Sequence, residues 1–317
     1  MPVLVLGGTG FIGRPLLRGL GRDGDVVVLH RGGGEVPAGA IGIVADRNDP
    51  AAVRAVVREH RATTVIDLMA MTQADTLPLF EALAGEIERY VLISSADVYR
   101  NYSGLHRKAA PEPIPLPLTE DSPLRETRFP YRLARPRPDH DPQKALDDYD
   151  KIPLEQALVA QSSFDWSVLR LPMVYGPGDR QRRFRWLIGP MRAGASEIVA
   201  PAVWLDWRTS YGFVDDVAAA IVLAATHGGA RNAVFNVGPA KADTHADWAR
   251  RFATAMNWPG EIIAGDAPGP LSAAVSALDL RYPLATDTSR IRRELGFLEG
   301  VSEMEALRGT IADELAR

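Results

Sequence analysis

An α/β fold on a doubly wound parallel sheet is what the sequence predicts, and three observations carry the prediction. Short Val/Ile-rich runs alternate with helical patterns through the first half of the chain. A glycine-rich turn joins the first run to the first helix, and two more strand-like runs return in the second half. Strand–helix–strand units of this length imply right-handed crossovers, hence parallel strands with helices on both faces.

The elements follow in order. Val3–Leu6, Val26–Leu29, Ile41–Val44, Thr64–Leu68 and Tyr90–Ser94 are short, apolar and β-branched, as strands buried on both faces are. The first helix is expected over Arg14–Gly21. Over Ala51–Arg61, Asp49 is the cap, Pro50 takes the first helical position, and Val53, Val56 and Val57 form one apolar stripe. Thr76–Arg89 places Leu79, Phe80 and Leu83 at helical spacing. Ser167–Leu171 and Ala233–Val237 are later strands. The C-terminal third reads as mostly helical: His245–Met256 is amphipathic, Asp287–Leu295 has an acidic cap and Gly296 as terminator, and the last helix opens on Ser302-x-x-Glu305, a capping box.

Composition removes whole classes of function. With 46% hydrophobic and 24% charged residues, and 28 glycines and 24 prolines in 317 residues, the chain is neither disordered nor fibrous. A net charge of −4 offers no basic excess for a phosphate backbone, so no nucleic-acid partner is expected. No apolar run approaches the roughly 18–20 residues of a membrane span, so none is expected. The strand-like run beginning at Pro2 leaves no room for a signal peptide, which makes a cytoplasmic location the expectation. The absence of cysteine excludes disulfides and thiolate chemistry. The six histidines are scattered, with no two at metal-ligand spacing, and no Gly-x-Ser-x-Gly elbow occurs.

Residues 100–150 stand apart, with nine of the 24 prolines, nine basic and nine acidic residues. Two readings are open: a solvated linker, or a lid over a site.

Gly7-Gly8-Thr9-Gly10-Phe11-Ile12-Gly13 follows the first strand and opens a helix. Gly7 lets the chain turn off the strand, Gly10 lets backbone amides approach a pyrophosphate, and Gly13 permits close helix–strand packing. This order of strand, turn and helix predicts a bound dinucleotide. The second strand ends Val28-Leu29-His30-Arg31-Gly32, with no carboxylate until Glu35. Arg31, with Arg14 as a second cation, suits a 2′-phosphate and favours NADP, with NAD remaining open should Arg31 only stack on the adenine.

These residues resemble the extended short-chain dehydrogenases/reductases, which include nucleotide-sugar epimerases and dehydratases. The resemblance runs in order through Ala45-Asp46-Arg47, Ile66-Asp67-Leu68-Met69-Ala70, Ile93-Ser94-Ser95-Ala96-Asp97-Val98-Tyr99, Leu169–Gly178, Val214-Asp215-Asp216-Val217-Ala218 and Phe235-Asn236-Val237-Gly238. It implies a Rossmann domain over 1–170 and a smaller, mainly C-terminal substrate domain over 171–317, with 212–238 returning to the first. It implies that Gly7, Thr9, Gly10, Phe11, Ile12 and Gly13 hold the cofactor, that Asp46 recognises the adenine, that Leu68, Met69 and Ala70 line the cofactor, and that Pro172 and Val174 approach the nicotinamide. A homodimer is a further analogy.

The family pattern places a serine on strand five and a Tyr-x-x-x-Lys pair on the next helix. Ser95 matches the serine, and Lys151 with Glu155 matches the family's Lys-x-x-x-Glu. Four residues before Lys151 stands Asp147, not tyrosine. Tyr149 is two residues away, about 200° round a regular helix from Lys151. Pro153 is tolerated only in a first turn, so the helix is expected to start near Asp150, leaving Tyr149 free to enter the site. Three readings stand: Tyr149 donates the proton, the chain lacks the usual donor, or Tyr99 or Asp147 does the work. Lys151 would hold the cofactor ribose in each.

Arg180-Gln181-Arg182-Arg183-Phe184-Arg185-Trp186 suggests an anionic ligand, or else a solvated face paired with acids. Trp204, Trp207, Arg208 and Tyr211 could wall a pocket. Tyr99, Tyr175, Arg182, Arg183 and Arg208 are the expected substrate contacts. The reading is therefore an NAD(P)-binding oxidoreductase or epimerase/dehydratase-type enzyme acting at a carbonyl or hydroxyl of a small molecule, such as a sugar nucleotide or anionic metabolite. Its rival is a binder of NADP without redox turnover: a sensor, a scaffold or a lyase/cyclase.

Overall fold

The computed structural model describes residues 2–21, 25–108, 112–266 and 269–317. Its strands are β1 (Val3–Leu6), β2 (Val26–His30), β3 (Ile41–Val44), β4 (Thr64–Asp67), β5 (Arg89–Ser95), β6 (Asp165–Leu171), β7 (Met173–Tyr175), β8 (Glu197–Ala200), β9 (Tyr211–Phe213), β10 (Ala233–Asn236) and β11 (Glu261–Ala264). Seven of them form one parallel sheet in the order β10-β6-β5-β4-β1-β2-β3. The winding reverses between β1 and β4, so the crevice beyond their carboxyl ends is the topological switch point where α/β sheets bind ligands.

Period-2 alternation splits the core between the two faces. Val3, Val5, Val26, Val28, Ile66 and Ile93 face one side, while Leu4, Leu6, Val27, Leu29, Val65 and Leu92 face the other. The first cluster continues into the C-terminal part through Tyr175, Phe184, Trp248 and Phe252. There β7 pairs with β9 and β8 with β11, both parallel.

Capping chemistry places the helices. Asp49 caps Pro50–His60 by accepting from the amides of Ala51 and Ala52. The next helix is Gln73–Leu83, not 76–89: Thr72 and Asp75 form a capping box that starts it early, and Gly85 at φ 75° helps turn the chain toward β5. Capping boxes also open His245–Ala255 and Glu303–Leu315, and Gly296 in the left-handed region ends Ser289–Leu295.

The proline-rich segment, whose residues 109–111 lie outside the described ones, is packed in its first part and mostly exposed over 131–145. Tyr99, Tyr102, Leu105, Ile114 and Leu118 form a third apolar cluster with Trp207, Tyr282 and Leu284. Leu118 is stitched to the C-terminal part: its amide donates to the Ala285 carbonyl at 2.8 Å and its carbonyl accepts from Asp287 at 2.8 Å. Between a short helix at Arg100–Leu105 and a 3-10 turn at Lys144–Asp147, proline leaves the backbone irregular without denying it burial. No helix among the described residues is long and apolar enough to cross a membrane.

Candidate active site

The site gathers at the carboxyl ends of β1, β4 and β5. After β1, Gly7 turns at φ 87°, and a Cβ there would lie 2.4 Å from Met69 Cγ. At Gly13 a Cβ would meet the Gly8 carbonyl oxygen at 2.3 Å, so the helix packs on the bend only because no side chain intervenes. Gly10 differs. It is exposed, and its Cβ position has only the Gly7 carbonyl oxygen nearby, at 3.7 Å. Among the described residues no acceptor takes the amides of Phe11 or Ile12, which begin the helix Gly13–Gly19. Open space over unclaimed amides fits a dinucleotide diphosphate. Thr9 sits under the loop after β2, where a Cβ on Gly34 would approach it at 2.9 Å. Arg31 follows that strand, exposed, and like Arg14 makes no ion pair among the described residues. Asp46 is exposed beyond β3, with its carboxylate accepting from the amide of Asn48 at 2.9 Å.

Leu68, Met69 and Ala70 form a ledge after β4. A network that motif reading missed holds it from beneath. Asp67, fully buried, accepts from Arg47 at 2.5 Å, from the Tyr90 hydroxyl at 2.5 Å and from the Met69 amide at 2.8 Å. Arg47 continues to Thr76 at 2.9 Å and to the Asp75 carbonyl at 2.8 Å. Burial opposes the Arg47 charge, but Asp67 more than offsets it and holds the guanidinium protonated.

The structure resolves how Tyr149 and Lys151 relate. The helix runs Lys151–Ala160, capped by Asp150, whose backbone is extended at φ −161° and ψ 113°. Residues flanking an extended position point to the same side, so a spacing of two, wrong for a helix, brings both side chains inward. Pro153 falls in the first turn. Asp150 is itself fixed by Arg125 at 2.6 Å and Arg128 at 2.7 Å. Burial alone would raise its carboxyl, but the two arginines hold it below the usual range.

Lys151 is buried under the ledge. Its ammonium donates to the Ala70 carbonyl and, at 2.8 Å, to that of Ile93, and lies 5.4 Å from the Tyr149 ring centroid. Burial brings it down to about 8 against the pull of Asp67 and Asp97. The Tyr149 hydroxyl donates to Asp97 at 2.9 Å and lies next to Ser95. Burial, then Asp97, pushes the phenol well above its ordinary value. Ser95 ends β5 half-buried and its hydroxyl accepts from the Asp97 amide at 3.2 Å. Asp97 was open to detection as an acid in an otherwise apolar stretch after β5. Tyr131, which donates to the same carboxylate at 3.0 Å, gave no signal.

The other expected residues are placed less uniformly. Asp147 is pinned by Arg137 away from the site, its oxygens taken by the Arg137 amide and guanidinium. Tyr99 is fully buried beneath the site, donating to Asn236 at 2.5 Å and accepting from Arg170 at 3.2 Å, so it presents no surface to a substrate. Pro172 is half-buried and Val174 buried where the chain leaves β6. Tyr175 packs edge-on to Phe184, Tyr211 and Trp248. Arg182 pairs with Glu314, and Arg183 with Asp179 at 2.7 Å, whereas Arg208 is exposed and without an ion pair among the described residues. Among the described residues no three His, Cys, Asp or Glu are grouped to hold a metal ion.

The model of the NAD dependent epimerase/dehydratase family matches residues 3–238, which include the bend, the ledge, Ser95 and Lys151. The chain belongs to that family. It is therefore of an enzyme family whose members depend on NAD. Solved structures carry the same fold over the whole chain. UDP-glucose 4-epimerase of Thermotoga maritima, solved with UDP-glucose, is 20% identical with a TM-score of 0.69, over 100% of this chain and 99% of that one. UDP-glucose 4-epimerase of Thermus thermophilus in complex with NAD is 23% identical at 0.66, over 99% and 98%. The UDP-glucose 4-epimerase of Stenotrophomonas maltophila, with NAD and formylated UDP-arabinopyranose, is 16% identical at 0.72, over 100% and 98%. No curated protein matches the chain in sequence.

Proposed function

We propose that this member of the epimerase/dehydratase family acts at a hydroxyl- or carbonyl-bearing carbon of a nucleotide-sugar-type substrate and takes NADP in preference to NAD. The observation that carries the reading is the meeting of Ser95, Tyr149 and Lys151 beside the ledge that faces the glycine bend. Gly7, Thr9, Gly10, Phe11, Ile12 and Gly13 would hold the coenzyme, with Arg31 and Asp46 at its adenosine end and Pro172 and Val174 near its nicotinamide. When bound, such a coenzyme takes and returns a hydride. Ser95 orients the substrate oxygen. Tyr149, kept protonated at neutral pH, stands as proton donor to that oxygen. Lys151 has two of its three donors on carbonyls and turns the third to the coenzyme ribose. Arg208, its charge unclaimed, suits the anionic part of the substrate, and the neighbouring UDP-sugar epimerases make UDP-glucose the first compound to try. A homodimer and a cytoplasmic location belong to the same reading.

The test of the cofactor is a titration with NADPH and NADH. An unpaired Arg31 predicts NADPH binding tighter by about tenfold or more, erased in Arg31→Ala. Equal affinities in the wild type would overturn the preference. A second reading, binding without turnover, has one observation in its favour: the Tyr149 phenol is raised, not activated. Coenzyme binding with no hydride transfer to or from UDP-glucose or a carbonyl panel would favour it.

A further inference from the structure

Among the described residues, Asp97 is the one buried carboxylate of the site whose bonding is incomplete. It lies at the start of the short 3-10 turn after β5 and is only 4% exposed. Both phenols that reach it, Tyr149 at 2.9 Å and Tyr131 at 3.0 Å, donate to the same oxygen, Oδ2. Its other oxygen, Oδ1, is buried with no partner among the described residues. A buried carboxylate left half-satisfied is costly, and a catalytic role is one of the few reasons for keeping one. The charged groups near it do not complete it. Arg125 gives its Nε to the Asp97 backbone carbonyl at 2.9 Å and spends its remaining nitrogens on Thr127 and Asp150. Lys151 is committed to Ala70 and Ile93. The Tyr102 ring packs edge-on to that of Tyr131 with centroids 5.9 Å apart, one step further out.

We propose that Asp97 is the proton-holding partner of Tyr149, and that this carboxylate–phenol couple does the work usually assigned to a tyrosine–lysine pair. The inference rests on the functional reading above. As a substrate hydroxyl surrenders its proton to the Tyr149 oxygen, the phenolic proton passes to the Asp97 carboxylate, which ends as a neutral acid. In the reverse direction the carboxyl returns its proton to the phenol as the phenol protonates the substrate oxygen. At Tyr149 one proton enters and one leaves, Asp97 ends with the proton that the substrate hydroxyl lost, and the hydride of the same carbon travels separately to the oxidised coenzyme. Tyr149 touches the substrate; Asp97 acts through it. Burial, against the pull of Arg125 and the two phenols, raises the Asp97 carboxyl above the ordinary range, in keeping with a group that must take up a proton.

Two measurements test the couple. In ligand-free protein, the ¹³C signal of the Asp97 carboxyl, assigned by its loss in Asp97→Asn, is expected to titrate above the ordinary carboxylate range. In Tyr149→Phe it should move higher still, because a donor to the ionised form is gone. An Asp97 that titrates in the ordinary range, or that ignores Tyr149→Phe, overturns the proposal. With coenzyme and UDP-glucose, Asp97→Asn is expected to lower kcat about 100-fold and to erase the acid limb of its pH profile, while KM and coenzyme affinity hold. A kcat within about threefold of wild type with the acid limb intact overturns it as well. If wild-type protein leaves UDP-glucose untouched, that substrate assignment fails while the titration still decides on Asp97. If Asp97→Asn does not fold, the signal is assigned by its displacement in Tyr131→Phe, the other donor to that carboxylate, and the wild type and Tyr149→Phe carry the titration.

Discussion

Two buried aspartates stand near the carboxyl ends of adjacent strands, Asp67 on β4 and Asp97 just past β5, and they are bonded in opposite ways. Asp67 has a guanidinium, a phenol and an amide sharing both of its oxygens. Asp97 has two phenols on one oxygen and, among the described residues, nothing on the other. The same contrast recurs elsewhere. Gly13 is packed tight against backbone while Gly10 faces open space, and Arg182 is ion-paired while Arg208, which donates to the Ala242 carbonyl at 3.2 Å, has no ion pair among the described residues. Where bonding is complete the residue builds the scaffold; where it is incomplete, the residue waits for something the chain does not supply.

The largest effect is expected at the complete member. Asp67→Asn removes the countercharge of Arg47, itself buried, and should cost about 3–5 kcal/mol of stability. Urea unfolding measures this. A loss below about 1 kcal/mol would mean that the ledge after β4 does not depend on the pair, and the contrast with Asp97 would lose its structural half.

Lys151 lies between the extremes, with two donors used and a charge buried. Burial lowers it from 10.5 to about 8, so between those pH values the unfolded chain holds a proton that the folded chain has released. Stability therefore rises with pH through that window, and the burden of the buried charge is fully present below pH 8. Lys151→Met abolishes the window. The stability of the variant relative to wild type should be greatest below pH 8 and decline by about 3 kcal/mol toward pH 10.5. Denaturant midpoints at pH 7 and 10 check it, and a constant difference would show that Lys151 is not charged-and-buried as described.

The two regions also differ in how far they could be read from sequence. The glycine bend is contiguous: seven residues after a β-branched run state their geometry in one stretch, so Gly7, Gly10 and Gly13 were legible with their separate reasons. The seven strands of the parallel sheet were legible from the same alternation, though not their order. The proton-handling corner is assembled from β5, the proline-rich segment and the start of Lys151–Ala160. Periodicity could not show that Asp150 is extended, which alone makes the Tyr149-x-Lys151 spacing workable. Nor could it show that Tyr131 reaches Asp97 from 34 residues away. The choice left open over residues 100–150 has the same origin: proline content announces irregular backbone, but the partners that bury Leu118 lie near residue 285. Arginine clusters mislead likewise, because a sequence lists Arg182 without Glu314.

The smallest effects separate those arginines. The Arg182–Glu314 pair is part-exposed, with side-chain accessibilities of 31% and 9%, so Arg182→Ala should cost only about 0–1 kcal/mol of stability and leave the affinity for UDP-glucose unchanged. Arg208→Ala should leave stability unchanged and weaken UDP-glucose binding about tenfold, the loss of one charge-assisted contact. Calorimetric titration beside thermal melts reads both quantities on each variant. If Arg182→Ala weakened binding and Arg208→Ala did not, an internally satisfied group would be serving the ligand, and incomplete bonding would no longer distinguish the residues that meet a substrate from those that hold the fold.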